Sequence, residues 1–165
     1  MPILQPTLRR AQRGARYSLI LISALTDPPR RRFVHEALAL ARELPVRMDS
    51  PLPAALAELT PAPVPQPLDA DTIRPIVDAL TAFGAGRPLG ICLRRSLLRY
   101  YFLRRADMPV VVNFGARRLG ERIGGHAWLT LDGQPYYEAP EHYLNYALMF
   151  CYPHSNSMPP ADTAG

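Results

Sequence analysis

Gly90-Ile91-Cys92-Leu93-Arg94-Arg95-Ser96 opens, and Gly125-His126-Ala127-Trp128-Leu129-Thr130-Leu131-Asp132-Gly133-Gln134-Pro135-Tyr136-Tyr137-Glu138 closes, the stretch around which this chain is organised. Leu93, Leu97, Leu98, Tyr101 and Leu103 recur at helical spacing, with Arg94, Arg95, Arg99, Arg104 and Arg105 between them. This pattern predicts an amphipathic helix reaching about Arg105. Cys92 then lies in its first turn, where unpaired backbone N–H groups and the positive end of the helix dipole would stabilise negative charge on sulfur. A neighbouring imidazolium would add to that effect, and such a pair turns a cysteine into a nucleophile.

The histidine follows Cys92 by 34 positions, in a segment of β-type composition running from Gly125 to Leu131. The turn after it decides which carboxylate can reach the ring. If Asp132-Gly133 is a two-residue turn, Ala127 faces Glu138, and Glu138 lies on the opposite side of the sheet from His126. A three-residue loop with Gly133 as the bulge residue pairs Thr130 with Gln134 and sets His126 opposite Glu138. The second register also keeps Pro135 beside the turn, and it is the one expected. A carboxylate there would fix the histidine's tautomer, and Asp132 would be a turn residue only.

Cysteine, histidine, acid is the papain-like order. The run from Pro88 to Glu138, with a cysteine opening an Arg-rich helix and Gly-His-Ala-Trp leading into Asp-Gly-x-Pro, resembles the transglutaminase-like cysteine protease superfamily. Among its short single-domain forms it is similar to the leader peptidases of lasso-peptide biosynthesis. The resemblance implies an α+β fold with a papain-like, transglutaminase-like core. In that core the cysteine helix packs on a small antiparallel sheet bearing the histidine and the acid, and an N-terminal helical segment precedes it. It implies Cys92 as nucleophile, His126 as base and Glu138 as acid, where family members often carry Asp. The activity implied is cysteine-peptidase removal of the leader from a ribosomal precursor peptide. A transglutaminase-like acyltransferase and a catalytically inactive scaffold are the alternatives. No cofactor is implied. The partners implied are the precursor peptide, a separate leader-recognition protein and an ATP-dependent ring-closing cyclase. A recognition module of winged-helix type would need about 80 residues, more than the helical and proline-rich N-terminal part offers.

Composition narrows the classes further. At 165 residues the chain is long enough for one real core. All 19 basic residues are arginine, which removes Schiff-base lysine chemistry and a phosphate-loop lysine. A net charge of +5 favours acidic partners, but no nucleic-acid reader motif is present and no nucleic-acid partner is expected. The two cysteines, Cys92 and Cys151, are no secreted disulfide framework, so a cytoplasmic protein is expected. Cys151, His154 and His142 have ligand-like spacing, but nothing fixes a fourth ligand; no metal site is expected, and Cys151 is read as core.

Three segments are expected along the chain: 1–68, helical with a proline-rich spacer; 69–153, the peptidase core; and 154–165, a flexible tail. The apolar run Tyr17 to Leu25 is too short to span a bilayer and reads as a buried helix or strand; no membrane partner is expected. Arg30 to Leu44 reads as an amphipathic helix with Phe33, Ala37, Leu40, Ala41 and Leu44 inward. Prolines at 45, 51, 53, 61, 63, 65 and 67 mark a proline-rich connection, extended and semi-rigid from Thr60 to Pro67, that is expected to act as a spacer. A helix from Thr72 to Phe83 follows, capped by Asp71 or Thr72 and stopped by Gly84, with Ile76, Val77, Leu80 and Phe83 inward. Val110 to Phe114 reads as a central strand, Gly115 to Gly124 as a charged loop, and Asn145 to Tyr152 as a further strand.

Overall fold

The computed structural model describes residues 4–154. Helices α1 (Leu4–Thr26), α2 (Pro28–Arg47), α3 (Leu52–Glu58), α4 (Ala70–Ala82) and α5 (Ile91–Arg105) come first. Strands β1 (Val111–Leu119), β2 (Arg122–Leu131) and β3 (Gln134–Pro135) follow, then a short helix α6 (Pro140–Tyr143) and strand β4 (Ala147–Tyr152). The strands form one antiparallel sheet in the order β3-β2-β1-β4, which makes β1 central as its β-branched start predicts. This is the α+β arrangement expected, with the cysteine helix packed on the sheet.

One hydrophobic core holds the molecule together. Phe33, Ala37, Leu40 and Leu44 of α2 meet Ile73, Ile76, Val77 and Leu80 of α4, Leu97, Leu98, Phe102 and Leu103 of α5, and Val112 and Leu129 of the sheet. The core also takes in Leu56 and Leu59, so the proline-rich connection is more than a spacer. Residues 52–58 within it form α3. The polyproline part beyond is fastened to α5: Val64 N donates to Arg105 O at 2.9 Å. Buried Tyr100 donates its hydroxyl to Thr60 Oγ1 at 2.7 Å, Thr60 having given its own proton to Leu56 O. A buried hydroxyl left without that partner would cost about 1–3 kcal/mol.

Several local expectations are corrected. The run Tyr17 to Leu25 is helical but not buried: Leu19 is 67% exposed and Ile22 60%, and only Ala24 is fully covered. Phe83 lies beyond the end of α4 and points outward. The charged segment 115–124 is no loop, because β1 and β2 continue as a ladder to Leu119 and Arg122 around Gly120-Glu121. Gly120, at φ +62°, supplies the left-handed residue that so tight a turn needs. Cys151 is half-buried on β4 rather than enclosed. Of the expected tail only His154 is described; 155–165 lie outside the described residues.

The cap of α4 is Asp69, not Asp71 or Thr72. Its carboxylate accepts from Thr72 N at 2.8 Å and from Thr72 Oγ1 at 2.7 Å, and the Thr72 hydroxyl bond holds the carboxyl below its ordinary range. A carboxyl depressed in the folded state stabilises above its unfolded titration range and loses that contribution as pH falls through the folded value. Asp69→Ala is therefore expected to cost about 1 kcal/mol at pH 7. Urea-unfolding curves taken at falling pH should show the gap from wild type closing in acid.

Candidate active site

The site begins with how Cys92 is presented. Gly90 is the N-cap of α5, and the first helical bond runs from Arg94 N to Gly90 O at 3.0 Å. The amides of Ile91, Cys92 and Leu93 therefore lie ahead of the helical ladder. The loop before them is held by a residue read from sequence as part of a charged face. Arg94 is 6% exposed, donating from Nη1 to Leu89 O at 3.2 Å and from Nη2 to Thr81 O at 2.7 Å. Burial lowers its guanidinium from the ordinary value, with the charges of Arg87 and Arg95 adding to the effect. Gly86, at φ +81°, gives it passage: a Cβ there would sit 3.0 Å from Arg94 Cβ.

One turn beyond Cys92, buried Ser96 donates to Ala127 O at 2.8 Å. Residues four apart share a helix face, so this bond turns the Cys92 face of α5 toward β2 beside His126. Cys92 and His126 line one cleft of about 380 Å³ together with Arg95, Arg99, Arg117, Glu138 and Tyr146.

His126 Nε2 lies 3.2 Å from Glu138 Oε1, with both side chains only 15% exposed. The contact expected from sequence is present, but by another route. Leu131 pairs with Gln134 and Thr130 with Pro135, so the hairpin has the two-residue turn, not the three-residue loop. Asp132 and Gly133 both take positive φ, +51° and +75°, the conformation such a turn requires and Asp-Gly favours. Pro135 is tolerated because its partner is a non-hydrogen-bonded one; the next ladder bond is Tyr136 N to Leu129 O at 2.9 Å.

In that register a continued strand would send Glu138 to the wrong face. Tyr137 breaks the strand with φ +54°, rare for an aromatic residue, and the turned chain delivers Glu138 to His126. Contacts from α4 hold Tyr137 there. Arg74 lies 3.7 Å above its ring, and its hydroxyl donates to Asp71 Oδ1 at 2.8 Å. Glu138 Oε1 also meets His142 Nδ1 at 3.2 Å, on the exposed side.

Two aromatic rings pack near the imidazole. Trp128 stacks on it at 5.9 Å and 15°, and Tyr146 lies 5.1 Å away. Opposite His126 in the β1 ladder is Gly115, where a Cβ would fall 2.8 Å from the Trp128 ring and 2.9 Å from Tyr146 Cβ. Only glycine leaves room for both rings.

The largest departure from the sequence reading lies behind the cleft. Arg99 is 8% exposed and donates from Nη2 to Asp78 Oδ1 at 2.5 Å, and Arg95 Nε reaches the same oxygen at 3.3 Å. Burial lowers the Arg99 guanidinium, while Asp78 and, more weakly, Glu138 oppose that shift. The available signal was an acid on α4 facing two arginines of α5, a match visible only once the helices are paired. Gln66 lines a different cavity with Phe33 and Phe102. Among the described residues no group of three or more His, Cys, Asp or Glu side chains could hold a metal. None of the described helices is long and apolar enough to cross a membrane.

A family model described as the transglutaminase-like superfamily matches residues 36–151, more than two thirds of the chain. No curated protein and no solved structure matches it significantly.

Proposed function

Because the chain belongs to the transglutaminase-like superfamily, we propose that it is a cysteine peptidase that removes the leader from a ribosomal precursor peptide during lasso-peptide maturation. One observation carries the peptidase reading: Cys92, at the start of α5, shares a cleft with a histidine whose Nε2 meets a half-buried carboxylate. The leader-peptide assignment rests on the sequence resemblance of the stretch from Pro88 to Glu138.

With Nε2 facing Glu138, the other ring nitrogen, Nδ1, takes the thiol proton. The thiolate attacks the scissile carbonyl, and the amide of Cys92 is one donor to the oxyanion. The C–N bond then breaks, His126 gives its proton to the leaving amine, and the acyl group stays on sulfur. Water, deprotonated by His126, attacks the thioester. The product is a free carboxylate, and the thiol is restored. Glu138 orients the ring and balances its charge at each imidazolium stage.

On this proposal the reaction is cytoplasmic, a separate recognition protein holds the leader by strand addition, and an ATP-dependent cyclase closes the ring afterwards. The test is intact-mass spectrometry of a candidate precursor incubated with the leader-binding partner and wild-type protein or Cys92→Ala. Loss of the leader with wild type alone, as a free carboxylate, supports the proposal. An amide product shows acyl transfer, and no cleavage while the proteins bind one another shows a scaffold. Glu138→Gln, which keeps an acceptor but removes the charge, is expected to cut kcat/KM by about 10- to 1000-fold, less than loss of Cys92. Steady-state rates across pH would check it.

A further inference from the structure

Three arginines line the cleft, and two of them are already spoken for: Arg95 and Arg99 share Asp78. Arg117 differs. Among the described residues it pairs with no carboxylate, and its Nε is buried with no hydrogen-bond partner. Its guanidinium carbon lies over the Tyr146 ring, 4.6 Å from the centroid, and that ring is the one lying against His126. The cleft's remaining carboxylate, Glu141, is exposed and makes no bond to it.

A guanidinium over a ring has lost freedom and water on one face, while its N–H groups keep their planar fork. Such a fork matches a carboxylate or a phosphate bound through two oxygens, and of the two a peptide substrate carries the carboxylate. The register supplies the distance. Gly115 is opposite His126 and Arg117 is opposite Gly124, two residues along the strand, about 7 Å. We infer that Arg117 binds a carboxylate of the peptide substrate one or two residues from the bond that is cut, either an acidic side chain or the chain's terminal carboxylate. This rests on the peptidase reading for the identity of the ligand as a peptide. It adds a charge requirement that neither the fold nor the Cys92, His126 and Glu138 set contains.

The experiment reads binding rather than cleavage. Fluorescein-labelled synthetic peptides spanning the leader–core junction of a candidate precursor carry Glu or Gln at each position in turn, with free or amidated C-termini. Their dissociation constants are measured by anisotropy on full-length Cys92→Ala and on the same protein with Arg117→Gln, Arg117→Lys or Arg117→Glu. At one or two adjacent positions, or at the free terminus, the carboxylate peptide should bind Cys92→Ala about tenfold to a hundredfold tighter than its neutral twin. The ratio should fall to near one with Arg117→Gln, recover in part with Arg117→Lys, which keeps the charge but not the fork, and fall below one with Arg117→Glu. A preference confined to the free terminus would assign the carboxylate to the chain end. The same ratio in all four proteins, or no charge-dependent binding anywhere, would overturn the inference. Charge-blind binding with intact wild-type cleavage removes this inference alone, whereas charge-dependent binding without wild-type cleavage removes the peptidase reading alone.

Discussion

Cys92→Ala is expected to lower the rate of leader removal by about 10⁴-fold or more while leaving the fold intact. The side chain is only half-buried, so its sulfur is no structural keystone. The loop that presents it is held by Arg94 and by Ser96, not by the thiol. A methyl group should therefore cost little stability, and unfolding curves of the two proteins should nearly coincide. The chemical loss has no substitute. His126 and the helix-start amides would still polarise a carbonyl, but no atom would be left to form the acyl intermediate. Single-turnover cleavage followed by mass spectrometry checks the rate. Alkylation by iodoacetamide gives an independent reading: Cys92 should react faster than the equally half-exposed Cys151, which has neither a helix start nor a histidine–carboxylate pair beside it. Equal labelling of the two cysteines, together with equal cleavage by the alanine variant, would remove Cys92 from the mechanism.

The parts of this site that were legible in sequence are those set by local rules. A glycine before an apolar period placed the start of α5, and Asp-Gly between β-type runs placed a hairpin there, though not its two-residue turn. The register was misread because it is not local. Expecting Glu138 opposite His126 forced a bulge into the hairpin, whereas the chain keeps the simple turn and bends afterwards at Tyr137. That bend depends on Arg74 and Asp71, more than 60 residues earlier, so nothing within the hairpin announces it. The buried arginines follow the same logic. On α5 alone Arg94 and Arg99 look like an outer face, and the acceptors supplied by Leu89 and by Thr81 and Asp78 of α4 make their burial tolerable. The extension of β1 and β2 past Gly115 was hidden by Arg117, Arg118, Glu121 and Arg122, whose charge reads as loop. These residues form a ladder because the hairpin tip is mostly exposed, where charged side chains cost a strand nothing.

Asp78→Ala is expected to be the most destabilising single change around the site, by about 3 kcal/mol, the lower end for breaking a buried pair because Asp78 is itself 19% exposed. The loss comes chiefly from what remains. Arg99 would be left enclosed with no anion at Nη2 and with an Nε that already lacks a partner, and Arg95 would lose the same oxygen. Asp78→Asn, which keeps an acceptor in place, should cost less. Adding Arg99→Met to Asp78→Ala should recover much of the loss, because the uncompensated charge goes with it; urea-unfolding midpoints of the set of variants would show whether the two changes couple. Activity adds a second consequence. Arg99 and Glu138 line the same cleft, and the Glu138 charge already acts on the Arg99 guanidinium. Freed from Asp78, Arg99 can turn to that carboxylate and compete with His126 for it. Asp78→Ala should then lower kcat at temperatures where the protein is still folded, and Arg99→Met should restore part of it. If activity instead tracked only the folded fraction, Asp78 would serve the packing of α4 on α5 and have no part in holding the charge balance of the cleft.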